Sequence, residues 1–156
     1  MAKIEKYKTV FEQIKSVVED EDDMIANMAN MSAMLHETFG FWWTGFYRVD
    51  PESAQLVLGP FQGPVACTRI AFGKGVCGTA WERKGTVVVP DVHQFPGHIA
   101  CSSLSRSEIV VPLYNKDGQV CAVLDIDSEH LATFDDIDRQ YLEEICRLIE
   151  KSVYLS

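Results

Sequence analysis

Positive charge, long apolar runs and repetition are all scarce in this 156-residue chain. Lys and Arg number 14 against 23 Asp and Glu, a net charge of −9, and no basic run or stripe could neutralise a phosphate backbone. Nucleic acid is therefore not an expected partner. The longest apolar stretches, such as IVVPLY, fall well short of a membrane span or a signal h-region. No membrane partner is expected, and the expected location is cytoplasmic. No internal repeat or low-complexity segment interrupts the chain, whose length suits one domain over residues 1–156.

Two common ligand-binding arrangements are missing as well. In GKGVCGT the lysine precedes the second glycine and no Ser or Thr follows it directly, so the phosphate-loop order Gly-x-x-x-x-Gly-Lys-Ser/Thr is absent. DVHQFPGHIAC gathers Asp91, His93, His98 and Cys101 within eleven residues, but their spacing fits neither C-x-x-C nor H-E-x-x-H. A metal-binding regulatory domain built on His93, His98 and Cys101 is the weakest of three readings.

What the chain does hold is a clear change of period. Ile4, Tyr7, Val10, Phe11, Ile14, Val17 and Val18 form a helical stripe. After the acidic break EDEDD, Met24, Met28, Met31 and Leu35 share one side of a second helix. Methionines at this spacing are core or interface packing rather than a binding surface. From Phe41 the period becomes two. FWWTGFYRVD and SAQLVLGPFQG read as a hairpin, ACTRIAF as a third strand, GVCGTAWERKG as a short glycine-opened helix and TVVVP as a further strand. Asp91 to Ser105 is aperiodic, and a loop of that length inside a domain is usually functional or mobile. SEIVVPLYN and QVCAVLDIDS make a second hairpin, and Thr133 is placed as the N-cap of a final helix striped by Ile137, Tyr141, Leu142, Ile145, Leu148 and Ile149. The fold class is α+β, with helices on an antiparallel sheet. The apolar first helices suit a homodimer, or equally a simple cover for the sheet.

Three groups could carry chemistry. Five cysteines in a reducing compartment are not expected to form a structural disulfide framework. Cys121 and Cys146 fall within apolar patterns and read as small core residues. Cys67, Cys77 and Cys101 remain as redox thiols, with Cys77 in the first turn of a helix, where the dipole lowers a thiol pKa. The second group is acidic. Strand alternation sends Val120, Ala122, Leu124 and Ile126 to one face, and Cys121, Val123, Asp125 and Asp127 to the other. On the neighbouring strand Glu108 shares its face with Val110 and Pro112, an apolar setting that raises a carboxyl pKa. Third, Trp43, Gly45 and Tyr47 share a face, the glycine leaving a gap between rings for a small group.

GPFQGPVACTRIAFGKGVCGTAW, DVHQFPGHIAC, SEIVVPL and VLDIDS, in this order and spacing, resemble the GAF-domain free methionine-R-sulfoxide reductases. The most specific feature is the cysteine trio at 67, 77 and 101, which ordinary ligand-sensing GAF domains lack. The resemblance implies a six-stranded antiparallel sheet flanked by helices. It implies that Cys101 attacks the sulfoxide sulfur, releasing methionine and leaving a sulfenic acid, and that Cys67 or Cys77 resolves it as a disulfide. Thioredoxin, fed by NADPH through thioredoxin reductase, would reduce that disulfide; no bound cofactor or metal is implied. Glu108, Asp125 and Asp127 match the acids that hold the substrate amino group and polarise the sulfoxide oxygen, while Trp43 and Tyr47 match the aromatics around the methyl end. Backbone amides opening the GVCGTAW helix are expected to receive the substrate carboxylate. The alternative is a non-catalytic GAF module that binds a small ligand or senses redox state.

Overall fold

A computed structural model describes residues 1–97 and 104–154. Helix α1 (Lys3–Val18) buries Tyr7, Val10, Ile14 and Val18 and leaves Ile4 and Val17 exposed, so the inward stripe is narrower than the full apolar pattern. Helix α2 (Met24–Phe39) begins where the acidic break ends. The Asp23 carboxylate accepts from the Ala26 N–H, and Gly40 closes the helix with φ 67°, a left-handed value that glycine adopts without strain. Met28, Met31 and Leu35 are fully buried, as packing residues.

The strands are β1 (Trp43–Asp50), β2 (Gln55–Gln62), β3 (Arg69–Ala71), β4 (Val87–Val89), β5 (Ser107–Tyr114) and β6 (Val120–Ser128). They pair antiparallel in the order β3-β2-β1-β6-β5-β4, the six-stranded sheet that the resemblance implied. One face carries Phe46, Ile109, Val111, Leu113, Ala122, Leu124 and Ile126, packed against α1, α2 and helix α4 (Asp136–Arg147). The other face carries Trp43, Tyr47, Val110 and Val123 beneath helix α3 (Gly75–Arg83), which adds Val76, Cys77 and Ala80. A short last helix, α5 (Glu150–Tyr154), follows α4. Among the described residues no helix is long and apolar enough to cross a membrane.

Three details depart from strict alternation and simple capping. In the β5–β6 hairpin Leu113 pairs with Ala122 but Tyr114 with Val120, so Cys121 is an extra residue. This bulge turns Val120 toward α3 and Cys121 toward the first core, the reverse of the expected faces. Along β1 and β2, Gly45 pairs with Phe61 but Tyr47 with Leu58, which leaves Gly59 and Pro60 opposite Phe46. That second bulge swings Phe61 over Gly45 and closes the expected gap. A Cβ on Gly45 would lie 2.3 Å from Phe61 Cβ and 2.8 Å from Trp43 Cη2. Finally, the cap of α4 is Asp135 rather than Thr133. The Asp135 carboxylate accepts from the Ile137 and Asp138 N–H groups, Asp138 reciprocates to the Asp135 N–H, and Thr133 instead uses its hydroxyl on Ser128 and the His130 carbonyl.

Because the atom facing Gly45 belongs to backbone-anchored Phe61, relief requires the strands to separate. Gly45→Ala is expected to destabilise the protein by about 3 kcal/mol, read as a lower urea midpoint. An unchanged midpoint would mean that the bulge can yield.

Candidate functional site

The site is built on the sheet face beneath α3. Cross-strand pairing sets Glu108 beside Asp127 and Asp127 beside Trp43, and in the neighbouring row Val110 beside Asp125 and Asp125 beside Gly45. Three acids from β5 and β6 thus share one patch with the aromatic wall of β1. Glu108 and Asp125 are each 6% exposed, and Asp127 is half-buried. From above, α3 lowers Cys77 onto them, with its sulfur and one oxygen each of Glu108 and Asp125 mutually within 4.8 Å. Asp125 Oδ1 is buried with no hydrogen-bond partner. Among the described residues no ion pair reaches any of the three acids. Ser105, at the end of the aperiodic segment, donates its hydroxyl to Asp127 Oδ1 at 3.3 Å.

Electrostatics follow from burial of like charges. Loss of solvent and then the neighbouring Asp125 and Asp127 push the Glu108 carboxyl well up. Asp127 is raised by loss of solvent and by Asp125, and Asp125 is raised by its burial. The three therefore exchange protons as one set. Cys77 differs from the sequence-based expectation. It does occupy the first turn of α3, but burial first, and then Asp125, Glu108 and Asp127, raise its thiol pKa well above the ordinary value. The helix dipole is outweighed, and a buried neutral thiol results.

A carboxyl raised in the folded state holds a proton that the unfolded chain releases above its ordinary value near pH 4. Its contribution is present below that pH and is lost as pH rises toward the folded-state value. Glu108→Gln removes this loss. It is expected to stabilise the substrate-free protein by about 1 kcal/mol at pH 7, with the gain shrinking toward pH 4 and activity falling. Urea midpoints at the two pH values check it; a variant less stable than the parent at pH 7 would contradict the assignment.

The aromatic wall also holds the cysteine-bearing segment. Trp43 stacks on Phe61 with ring centres 5.2 Å apart and on Tyr47 at 6.0 Å. Trp43 Nε1 donates to the Pro64 carbonyl at 3.0 Å, and the Tyr47 hydroxyl to the Cys67 carbonyl at 2.8 Å. Cys67 is half-buried and disulfide-bonded, whereas Cys77, Cys121 and Cys146 are free thiols. Cys146 is fully buried, and Cys121 packs half-buried against the first core, its thiol pushed up to about 11 by burial. Cys101 and His98 lie outside the described residues. Of the remaining proposed metal ligands, His93 is exposed and its Nδ1 lies 3.6 Å from Asp91 Oδ1; the compact ligand-type cluster is Cys77, Glu108 and Asp125 instead.

The glycines around Cys77 serve geometry. Gly75 has φ 62°. A Cβ on Gly78 would meet the Ala71 carbonyl oxygen at 2.6 Å, so this glycine lets α3 sit directly on the end of β3. Phe61 and Ser105 are site residues that the sequence reading missed. The stripe of β2 gave no sign that Phe61 turns onto Trp43, whereas Ser105, at the edge of a loop entering an acid-bearing strand, was the more detectable.

An antiparallel six-stranded sheet with α1, α2 and α4 behind and an acidic patch beneath α3 defines a GAF domain. The GAF domain family model matches residues 20–152. The X-ray structure of free methionine-R-sulfoxide reductase from Neisseria meningitidis, in complex with its substrate, superposes with a TM-score of 0.95 at 60% identity, covering 97% of this chain and 90% of that one. GAF domain-containing protein A of Dictyostelium discoideum is 56% identical, over 96% of this chain and 93% of its own. Free methionine-R-sulfoxide reductase of Escherichia coli is 44% identical, over 97% and 90%. The chain belongs to the GAF-domain free methionine-R-sulfoxide reductase family.

Proposed function

We propose that this chain reduces free L-methionine-R-sulfoxide to methionine on the patch formed by Glu108, Asp125 and Asp127, with Cys101 as nucleophile and Cys67 as resolving thiol. The observation that carries the reading is an acid set that no ion pair among the described residues reaches, with Asp125 Oδ1 buried and lacking a hydrogen-bond partner. Carboxylates hidden from water need a cation or protons, and the ammonium of a free amino acid supplies the first while the sulfoxide oxygen takes up the second. The substrate complex of the Neisseria relative supports a site of this kind. Trp43 and Tyr47 wall the apolar end, and the first amides of α3 face the carboxylate.

The chemistry balances without a bound cofactor. The Cys101 thiolate attacks the sulfoxide sulfur, a raised carboxyl such as Glu108 protonates the oxygen, and oxygen transfer leaves methionine and a Cys101 sulfenic acid. The Cys67 thiol displaces hydroxide, which leaves as water, and a Cys67–Cys101 disulfide forms before over-oxidation. The dithiol of thioredoxin, kept reduced by NADPH through thioredoxin reductase, restores both thiols and becomes a disulfide itself. That Cys67 is the cysteine held in a disulfide while Cys77 stays a buried thiol supports Cys67 as resolver.

The ammonium assignment is tested by blocking the amine. A desolvated charge pair is worth several kcal/mol, so free methionine sulfoxide should exceed its N-acetyl derivative by roughly 100-fold or more in kcat/KM. Asp125→Asn should lose most of that discrimination through KM. Equal turnover of both substrates by the parent enzyme would remove the acids from this role.

A further inference from the structure

We infer that the buried triad of Cys77, Glu108 and Asp125 is also a binding site for a thiophilic divalent cation, Zn2+ or Cd2+, which occupies the same patch as the substrate ammonium. The inference shares residues with the proposed substrate site, but it is tested without any sulfoxide. Its first support is the donor set. A sulfur from α3 and carboxylate oxygens from β5 and β6 converge from three different elements to within 4.8 Å of one another. An ammonium has no use for the sulfur, whereas a thiolate with two carboxylates is a zinc-type set that hard cations such as Mg2+ do not favour.

The second support is Asp125 itself, buried with Oδ1 unpartnered. A buried acceptor lacking a donor is costly, and a bound cation removes that cost. Zinc–sulfur and zinc–oxygen bonds place tetrahedral ligands about 3.5 Å apart, so the three side chains need to close by only about 1 Å. On binding, the Cys77 proton is released to solvent and the thiolate takes the metal. Cys67 is withdrawn from competition for the metal in this structure by its disulfide, so the oxidised enzyme is the form in which the site is tested.

The test uses the full chain in its disulfide form, titrated with Zn2+ alone, with Cd2+ alone and with Mg2+ alone. One Zn2+ and one Cd2+ per chain are expected, the latter with a sulfur-to-cadmium charge-transfer band in the ultraviolet, and no Mg2+ binding. Cys77→Ser should abolish the band and weaken Zn2+ at least about tenfold. Asp125→Asn should weaken Zn2+ similarly while keeping the thiol, and Cys121→Ser should change neither. No binding of Zn2+ at about 100 µM, or binding undiminished in both Cys77→Ser and Asp125→Asn, would overturn the inference. Neither result bears on sulfoxide reduction, which is assayed separately with chelator present.

Discussion

Cys101→Ser should remove turnover of free methionine-R-sulfoxide, lowering kcat/KM by at least about 1,000-fold. A serine hydroxyl is far more basic than a thiol and is not oxidised to a stable equivalent of a sulfenic acid, so neither attack nor oxygen transfer has a substitute. The three free thiols are not placed to take over. Cys77 is held neutral by burial among three acids, while Cys146 lies in the opposite core and Cys121 packs against that same core, across the sheet from the acids. Substrate binding should survive, because the acid patch is untouched. Chelator-treated enzyme with thioredoxin in excess provides the measurement, and multiple turnovers by Cys101→Ser would assign the nucleophile elsewhere.

The second large effect separates resolver from nucleophile. Cys67→Ser should yield one methionine per chain in a rapid first phase and then stop, with a sulfenic acid trapped by dimedone and detected as a mass increment on the peptide containing Cys101. Steady-state turnover with thioredoxin should drop by about 100-fold or more, because thioredoxin must now attack the sulfenic acid directly. Cys77→Ser should not give this burst. The Tyr47 hydroxyl ties down the Cys67 carbonyl and the Trp43 indole the Pro64 carbonyl, so the Cys67 thiol sits on a positioned segment, whereas Cys77 is fixed in α3 against the acids. A burst that stops in Cys77→Ser but not in Cys67→Ser would exchange the two roles.

Much of this arrangement was legible in local sequence pattern. Period-two runs located the strands, and alternation on β6 put Asp125 and Asp127 on one face, because burial on one side of a sheet fixes every second side chain. The apolar neighbours of Glu108 on β5 correctly indicated a raised carboxyl. What escaped was set by contacts distant in sequence. The bulge at Cys121 inserts one residue and reverses the faces of Val120 and Cys121 while the rest of the strand keeps its own, with no mark in the pattern. The Gly45 gap was real on β1 alone and is filled by Phe61 from β2. Thr133 and Asp135 were both competent caps; the loop claimed the Thr133 hydroxyl, and Asp135 took the helix. For Cys77 the local dipole argument had the opposite sign to the outcome, because the three acids that raise its pKa arrive from β5 and β6.

The alternative of a non-catalytic ligand-sensing or redox-sensing module has the same fold and the same patch, and it differs in one respect: it does not turn over. The most direct test follows NADPH oxidation through thioredoxin reductase and thioredoxin, offering free R-sulfoxide, free S-sulfoxide and peptide-bound methionine sulfoxide separately. Oxidation with the free R-sulfoxide alone, at one NADPH per methionine formed, is the result expected here. No NADPH oxidation with any of the three, from protein that still binds free methionine sulfoxide, would contradict it.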